Sequence, residues 1–283
     1  MMADRREESV ALGSVSPPIT HRFVDVPDGV VHCVECGQGT PVLLLHQTPR
    51  SWDEFRDVLP LLGRTRRAIA MDTIGFGDSS RLPVGEYSVE RWADVVVSLL
   101  DALGIDRATV VGHHTGGYVA AEVASSHRER VTAVVLSGVA LLPVAERLEQ
   151  VEGRAVVDEA DRALDGSHLK ELWQLRAEFY PPDIQLLERF MIDCLKAGDL
   201  AAEGHRIVAR YPIEERVGLV TCPTLIIAPT ADVHTYPFMP ALEAAMPHAV
   251  VSEIEGGMAC LPDQLPSAFA AAVIGFLDDV EDA

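Results

Sequence analysis

Six short apolar runs, separated by stretches of helical character, constrain this chain more than anything else in it. They are Pro41 to Leu45, Ala68 to Met71, Ala108 to Val111, Val131 to Leu136, Thr224 to Ile227 and Val250 to Ile254. Each is continuous rather than alternating and rich in β-branched residues, the pattern of a strand covered on both faces. Amphipathic segments such as Ser88 to Leu103 and Tyr118 to Ser125 lie between them. Strand and helix therefore alternate, which predicts an α/β fold with a doubly wound, mostly parallel sheet. Ahead of this rhythm, His21 to Val26 and Val30 to Glu35 flank an Asp28-Gly29 turn, and Gly37 and Gly39 close the second run. That is an antiparallel hairpin.

The rhythm breaks between residues 141 and 215. Glu146 to Asp161, His168 to Phe179 and Gln185 to Ala197 are helix-forming and charge-rich, with no strand pattern among them. The interval reads as a helical cap inserted into a single core made of residues 21–140 and 216–283, an arrangement that 283 residues can support. Trp173, Phe179, Tyr180, His205 and Tyr211 fall in the cap and are candidates to line a pocket against the strand ends. Ordinary cap-to-core packing is the alternative for each. Residues 1–20 mix charge, serine and two prolines without periodicity, and read as a disordered or loosely docked arm.

A formal net charge of −20 opposes binding to a phosphate backbone or an anionic membrane surface, so neither nucleic acid nor membrane is an expected partner. The densest basic stretch, Arg64 to Arg67, falls in a short helix-to-strand connection where charge is expected to mean solvent exposure. Five cysteines cannot all pair, and no apolar leader precedes the first strand, which together suit a reducing cytoplasm. Cys33 and Cys36 lie inside a strand pattern, without a second pair to complete a zinc site. No His/Asp/Glu cluster has ligand spacing on one element, so neither a metal nor a cofactor is expected; the expected partner is a small-molecule substrate.

After the run Ala108 to Val111 comes Gly112-His113-His114-Thr115-Gly116-Gly117, then a helix expected to begin near Tyr118. Small residues on both sides of position 114 fit a strand-to-helix bend too tight for side chains at the flanks. The middle residue is then held in a strained conformation at the mouth of a helix whose N–H groups favour negative charge.

In this elbow the chain resembles the α/β-hydrolase superfamily, and three further motifs agree in order. His46-Gln47-Thr48-Pro49 resembles the oxyanion-loop motif of that superfamily, Asp72 to Ser79 its Asp-x-x-Gly-x-Gly-x-Ser turn, and Pro223 to Asp232 the segment that ends in the catalytic acid. The resemblance runs from about His21 to Leu277 and implies the fold; chemistry is carried by the site. There the chain departs from the pattern. His114 stands where the nucleophile would be, Gln47 replaces the oxyanion-loop glycine, and Ala259 occupies the position of the catalytic histidine. The last histidine, His248, precedes the final strand and lies at the wrong end of the sheet.

An ordinary Ser-His-Asp relay is thereby excluded, and a different pair takes its place. The imidazole of His114 reaches far enough to fill the space left at Ala259, with Asp232 as its partner, fixing the tautomer and stabilising the charged ring. Backbone N–H groups of Thr48 and Thr115 remain available as an oxyanion hole. Such a pair suits hydrolysis of an ester, thioester or lactone by direct activation of water. It equally suits cofactor-free lyase, isomerase, cyclase or decarboxylase chemistry by proton transfer next to a carbonyl. A catalytically inactive binding protein, with His114 an inert plug, is the third reading. His113 is expected to pack beneath the elbow, His234 is a substitute base, and Cys260 reads as a small buried residue. Arg50 and Trp52 follow the oxyanion loop as possible substrate contacts, as do His46 and Gln47 within it.

Overall fold

The hairpin predicted ahead of the parallel strands forms as β1 (Ile19–Val26) and β2 (Gly29–Cys36), with Val26 paired to Gly29 across the turn. The structure, a computed structural model, describes residues 17–149 and 157–282. Residues 1–16 of the expected arm lie outside the described residues. Its last part does not: the strand starts at Ile19, two residues before the expected His21, because β1 pairs along its whole length with β2 up to Cys36.

From there strands and helices alternate: β3 (Pro41–Leu45), the single turn α1 (Leu59–Leu62), β4 (Arg67–Met71), α2 (Val89–Ala102), β5 (Ala108–His113), α3 (Thr115–Ser126) and β6 (Val131–Ser137). Among the described residues, four α-helices follow before the sheet resumes: α4 (Val144–Glu149), α5 (Ser167–Ala177), α6 (Ile184–Ala197) and α7 (Leu200–Arg210). The chain then completes β7 (Thr224–Pro229), α8 (Met239–Ala245), β8 (Val250–Ile254), α9 (Leu261–Gln264) and α10 (Pro266–Glu281). The sheet has eight strands in the order β1-β2-β4-β3-β5-β6-β7-β8 among the described residues. The pairs β1 with β2 and β2 with β4 are antiparallel, and all others are parallel.

Period-two alternation along the strands divides the core in two. Leu43, Leu45, Ile69 and Met71 face Trp92 of α2 and Val119 of α3 on one side, while Val42, Leu44, Ala68 and Ala70 face Phe55, Leu59 and Phe269 on the other. Covering both faces is what makes these strands read as unbroken apolar runs. The exception is β8 at the sheet edge, expected to be buried, where Val250 is 56% and Val251 39% exposed. An edge strand has a neighbour on one side only, so the same residue types remain half open.

Several boundaries differ from expectation. Helix α3 starts at Thr115 rather than Tyr118, because the bend ends at a single residue. The helix expected over Glu146 to Asp161 is helical to Glu149, residues 150–156 lie outside the described residues, and Val157 to Gly166 is not helical. Helix α7 was not foreseen, since Gly204 at its centre weakens the helical signal. Arg66 and Arg67, expected to be simply solvated, pair with Asp278 and Glu281 and with Glu35. Cys33 and Cys36 are free thiols buried in β2. No helix among the described residues is long and apolar enough to cross a membrane.

Candidate active site

The bend between β5 and α3 is built by absence of side chains. A Cβ on Gly112 would lie 2.0 Å from the carbonyl oxygen of Gly116, and one on Gly116 would lie 2.0 Å from that of Leu45. Only glycine fits either position. Between them His114 adopts φ 46° and ψ −117°, a left-handed conformation that costs a non-glycine residue roughly 1–3 kcal/mol. The surrounding backbone holds it there: the His114 amide donates to Ser137, and its carbonyl accepts from Gly117.

The imidazole of His114 reaches Asp232, in the loop after β7. Its Nε2–H donates to Asp232 Oδ2 at 2.7 Å, and the same oxygen accepts from the hydroxyl of Thr235 at 2.6 Å. The His234 amide donates to the other oxygen at 2.9 Å. Burial alone would push the Asp232 carboxyl up, but attraction to His114 and these donors overrule it and hold the group well below the usual carboxylate range. Nε2 being the donor, Nδ1 of a neutral His114 is a lone pair, and it has no hydrogen-bond partner among the described residues. The side chain is 18% exposed.

It is exposed to a cavity of about 480 Å³ between the sheet and the cap. Gln47, Thr48, Thr115, His234 and Ala259 line it from the core beside His114, and Arg176 and His205 from the cap. The amides of Thr48 and Thr115, the second at the N-terminus of α3, donate to no other described residue. Burial pushes the His234 ring down in pKa, against the pull of Asp232, and the ring packs 4.2 Å from that of Phe179.

Other candidates stand behind the cavity. His113 is fully buried; its Nε2–H donates to the carbonyl of Ala259 at 3.0 Å, and the Ser137 hydroxyl donates to Nδ1. Burial, with His114 alongside, pushes its pKa down to about 3, so the ring is neutral. His46, also lowered by burial, donates to Gln47 O and accepts from the Thr73 amide. It pins two loops and does not line the cavity. Trp52, Trp173, Tyr180, Tyr211 and Cys260 do not line the cavity either, being taken up by packing or, for Tyr211, by a hydrogen bond to Glu122. Arg50 is fully buried, holding Asp193 of α6 and Asp263 of α9.

The sequence reading missed Arg176, Tyr118, Thr235 and the fully buried Glu54. Glu54 accepts from the Gln47 amide at 2.8 Å and from the Gln47 side chain, next to the oxyanion candidate Thr48. Thr235, three residues after Asp232, could have been found from the preference of aspartate for a hydroxyl at that spacing; the others carry no local signal. Away from the cavity, His32, Asp72 and Asp78 bring possible metal-ligand atoms within 4.8 Å of one another. Their capacity is already used: His32 bonds Asp72, the amides of Trp52 and Asp78 donate to Asp72, and Lys196 pairs with Asp78.

Residues 40–181 match the family model of the alpha/beta hydrolase fold. A 2-hydroxymuconate semialdehyde hydrolase from Pseudomonas sp. (strain CF600) is 39% identical over 124 residues, 42% of this chain and 44% of that protein. The matched segment thus spans under half the length of that relative. Haloalkane dehalogenase 2 from Mycobacterium tuberculosis (strain ATCC 25618 / H37Rv) is 28% identical over 272 residues, 91% of this chain and 94% of that one. Among solved structures, a bacterial membrane phospholipase A is similar with a TM-score of 0.78 and 24% identity, covering 94% of this chain and 87% of the other, a likeness of fold alone.

Proposed function

The chain belongs to the α/β-hydrolase fold family, and from that premise we propose that it hydrolyses a small ester, thioester or lactone with His114 as general base. One observation carries the reading: an imidazole anchored to a buried carboxylate at 2.7 Å, with its second nitrogen unpartnered at a cavity. Nδ1 takes a proton from water as the water oxygen bonds to the carbonyl carbon. Asp232 keeps the Nε2–H tautomer in place and stabilises the imidazolium that forms. The developing oxyanion meets the amides of Thr48 and Thr115, where the terminal N–H groups of α3 favour negative charge. Collapse expels the leaving group without an acyl-serine stage. The hydrolase name of the relative from Pseudomonas sp. supports the reaction class.

A second reading is supported by the same elbow, whose apex residue offers a base in place of a hydroxyl or thiol nucleophile. Nδ1 then removes a proton next to a carbonyl, and the two amides hold the enolate.

The test is turnover of p-nitrophenyl esters, thioesters and lactones in water labelled with heavy oxygen, comparing wild type with His114→Ala. The expected result is hydrolysis with label in the acid product, reduced at least about 100-fold by the substitution. Fluorophosphonate probes should leave every serine unlabelled. Absence of wild-type turnover, persistence in the variant or a labelled serine overturns the proposal. Deuterium uptake into product without heavy oxygen selects the second reading.

A further inference from the structure

A second aspartate-anchored imidazole lines the same cavity, from the cap side. His205 of α7 donates from Nε2 to Asp158 Oδ2 at 2.8 Å, and Nδ1 has no hydrogen-bond partner among the described residues. The arrangement repeats that of His114 with Asp232: one ring nitrogen spent on a buried carboxylate, the other left open. Asp158 is itself unusual. It is 5% exposed, adopts φ 64° without being glycine, and is paired through both oxygens with Arg176 of α5. Burial pushes its carboxyl up, but Arg176 and the His205 bond prevail and keep it ionised. A buried ion pair on strained backbone contributes little to stability, and such strain gathers at functional sites. An Arg176–Asp158 pair alone would also not need an imidazole beside it.

We propose that His205, held by Asp158, is the general acid that protonates the leaving oxygen, and that the substrates are alkyl esters or lactones, whose leaving oxygens are too basic to depart unprotonated. The proposal rests on the hydrolytic role of His114. In the first step His114 Nδ1 accepts one proton of water while the new C–O bond forms. In the second, the bond from carbon to the leaving oxygen breaks, that oxygen keeps the electron pair, and it takes the proton carried on His205 Nδ1. Acid and alcohol are then free, His114 is an imidazolium and His205 is neutral. Transfer of one proton from His114 to His205 through solvent restores the starting state. Asp158 offsets the positive charge that His205 carries before donation, and Arg176 is a positioning residue that fixes both carboxylate oxygens.

The experiment compares ethyl butyrate with p-nitrophenyl butyrate, which share an acyl group and differ in how much protonation the departing oxygen needs. His205→Gln is expected to lower kcat/KM about 100-fold for the ethyl ester and less than about 3-fold for the p-nitrophenyl ester. Equal losses on both, or none on the ethyl ester, overturn the proposal while leaving His114 in its role. Wild type inactive on both esters, or His114→Ala fully active, removes the hydrolytic reading and this one with it. If His205→Gln fails to fold, a series of aryl and alkyl butyrates on wild type decides: a shallow dependence on leaving-group pKa is expected, and a steep one overturns the assignment.

Discussion

His113 donates its Nε2 proton to the carbonyl of Ala259, 3.0 Å away, and Gln47 Nε2 donates to the same oxygen at 2.9 Å. Ala259 is the position at which the family resemblance leads one to expect the catalytic histidine. Two of the departures from the pattern are thus joined physically, since the amide that replaces a glycine in one loop clamps the loop that has lost its ring.

The neutral state of His113 makes acid stability depend on it. Its pKa in the folded protein is depressed to about 3 from an ordinary 6.5, so its stabilising contribution is complete above 6.5 and is lost as pH falls toward 3. Within that window the unfolding free energy should fall by up to about 1.4 kcal/mol per pH unit from this ring. His113→Gln can still donate to Ala259 O and should flatten the slope. Urea melts of both proteins at pH 4, 5 and 7 check this; parallel slopes would assign the effect elsewhere.

Asp232→Asn leaves the shape of the loop nearly unchanged but replaces the acceptor of the His114 proton with an amide. The wrong tautomer and an unstabilised imidazolium should lower kcat by roughly a thousandfold or more. KM should move little, because the carboxylate is fully buried and does not meet substrate. Steady-state kinetics on the best ester distinguishes this from a binding defect.

Gly204 lies at the middle of α7, where alanine would favour the helix by about 1 kcal/mol. Its Cβ, however, would sit 2.6 Å from Thr48 Cγ2 and 2.7 Å from Thr48 Oγ1. Overpacking of this kind typically costs about 1–3 kcal/mol, so the steric effect wins. Gly204→Ala should lower the unfolding midpoint and also slow turnover, because the residue displaced carries one of the amides proposed for the oxyanion hole. A stabilised, fully active variant would contradict the contact.

Arg50 joins core and cap. Asp193 and Arg189, both on α6, enter one buried network with Arg50, Asp53 and Asp263. Arg50→Ala takes the only paired cation from Asp193 among the described residues and leaves Asp263 with Arg189 alone, and should destabilise by roughly 3–5 kcal/mol, measured by chemical denaturation. A loss below about 1 kcal/mol would mean that the carboxylates are solvated or protonated instead.

The parallel core was legible because burial on both faces writes itself into the strands as unbroken apolar runs, and Pro41–Leu45 matches at both ends. The elbow was legible because Gly112 and Gly116 are sterically obligatory. The cap was less so: α7 carries a central glycine required by Thr48 rather than by helix formation, and such a tertiary demand leaves no local trace. Asp158 and Arg176 likewise meet only through folding. Arg50, prominent beside the oxyanion loop in the sequence, turned away from the cavity because the partners it needed, Asp193 and Asp263, are far along the chain.

Anchoring His114 through Nε2 leaves the nitrogen nearer its own main chain as the one without a partner among the described residues. Under the hydrolysis proposed above, a water deprotonated by Nδ1 would lie close to the elbow backbone, and the acyl carbon would have to approach that far. On that reading, esters with little branching beside the carbonyl are the ones expected to turn over fastest.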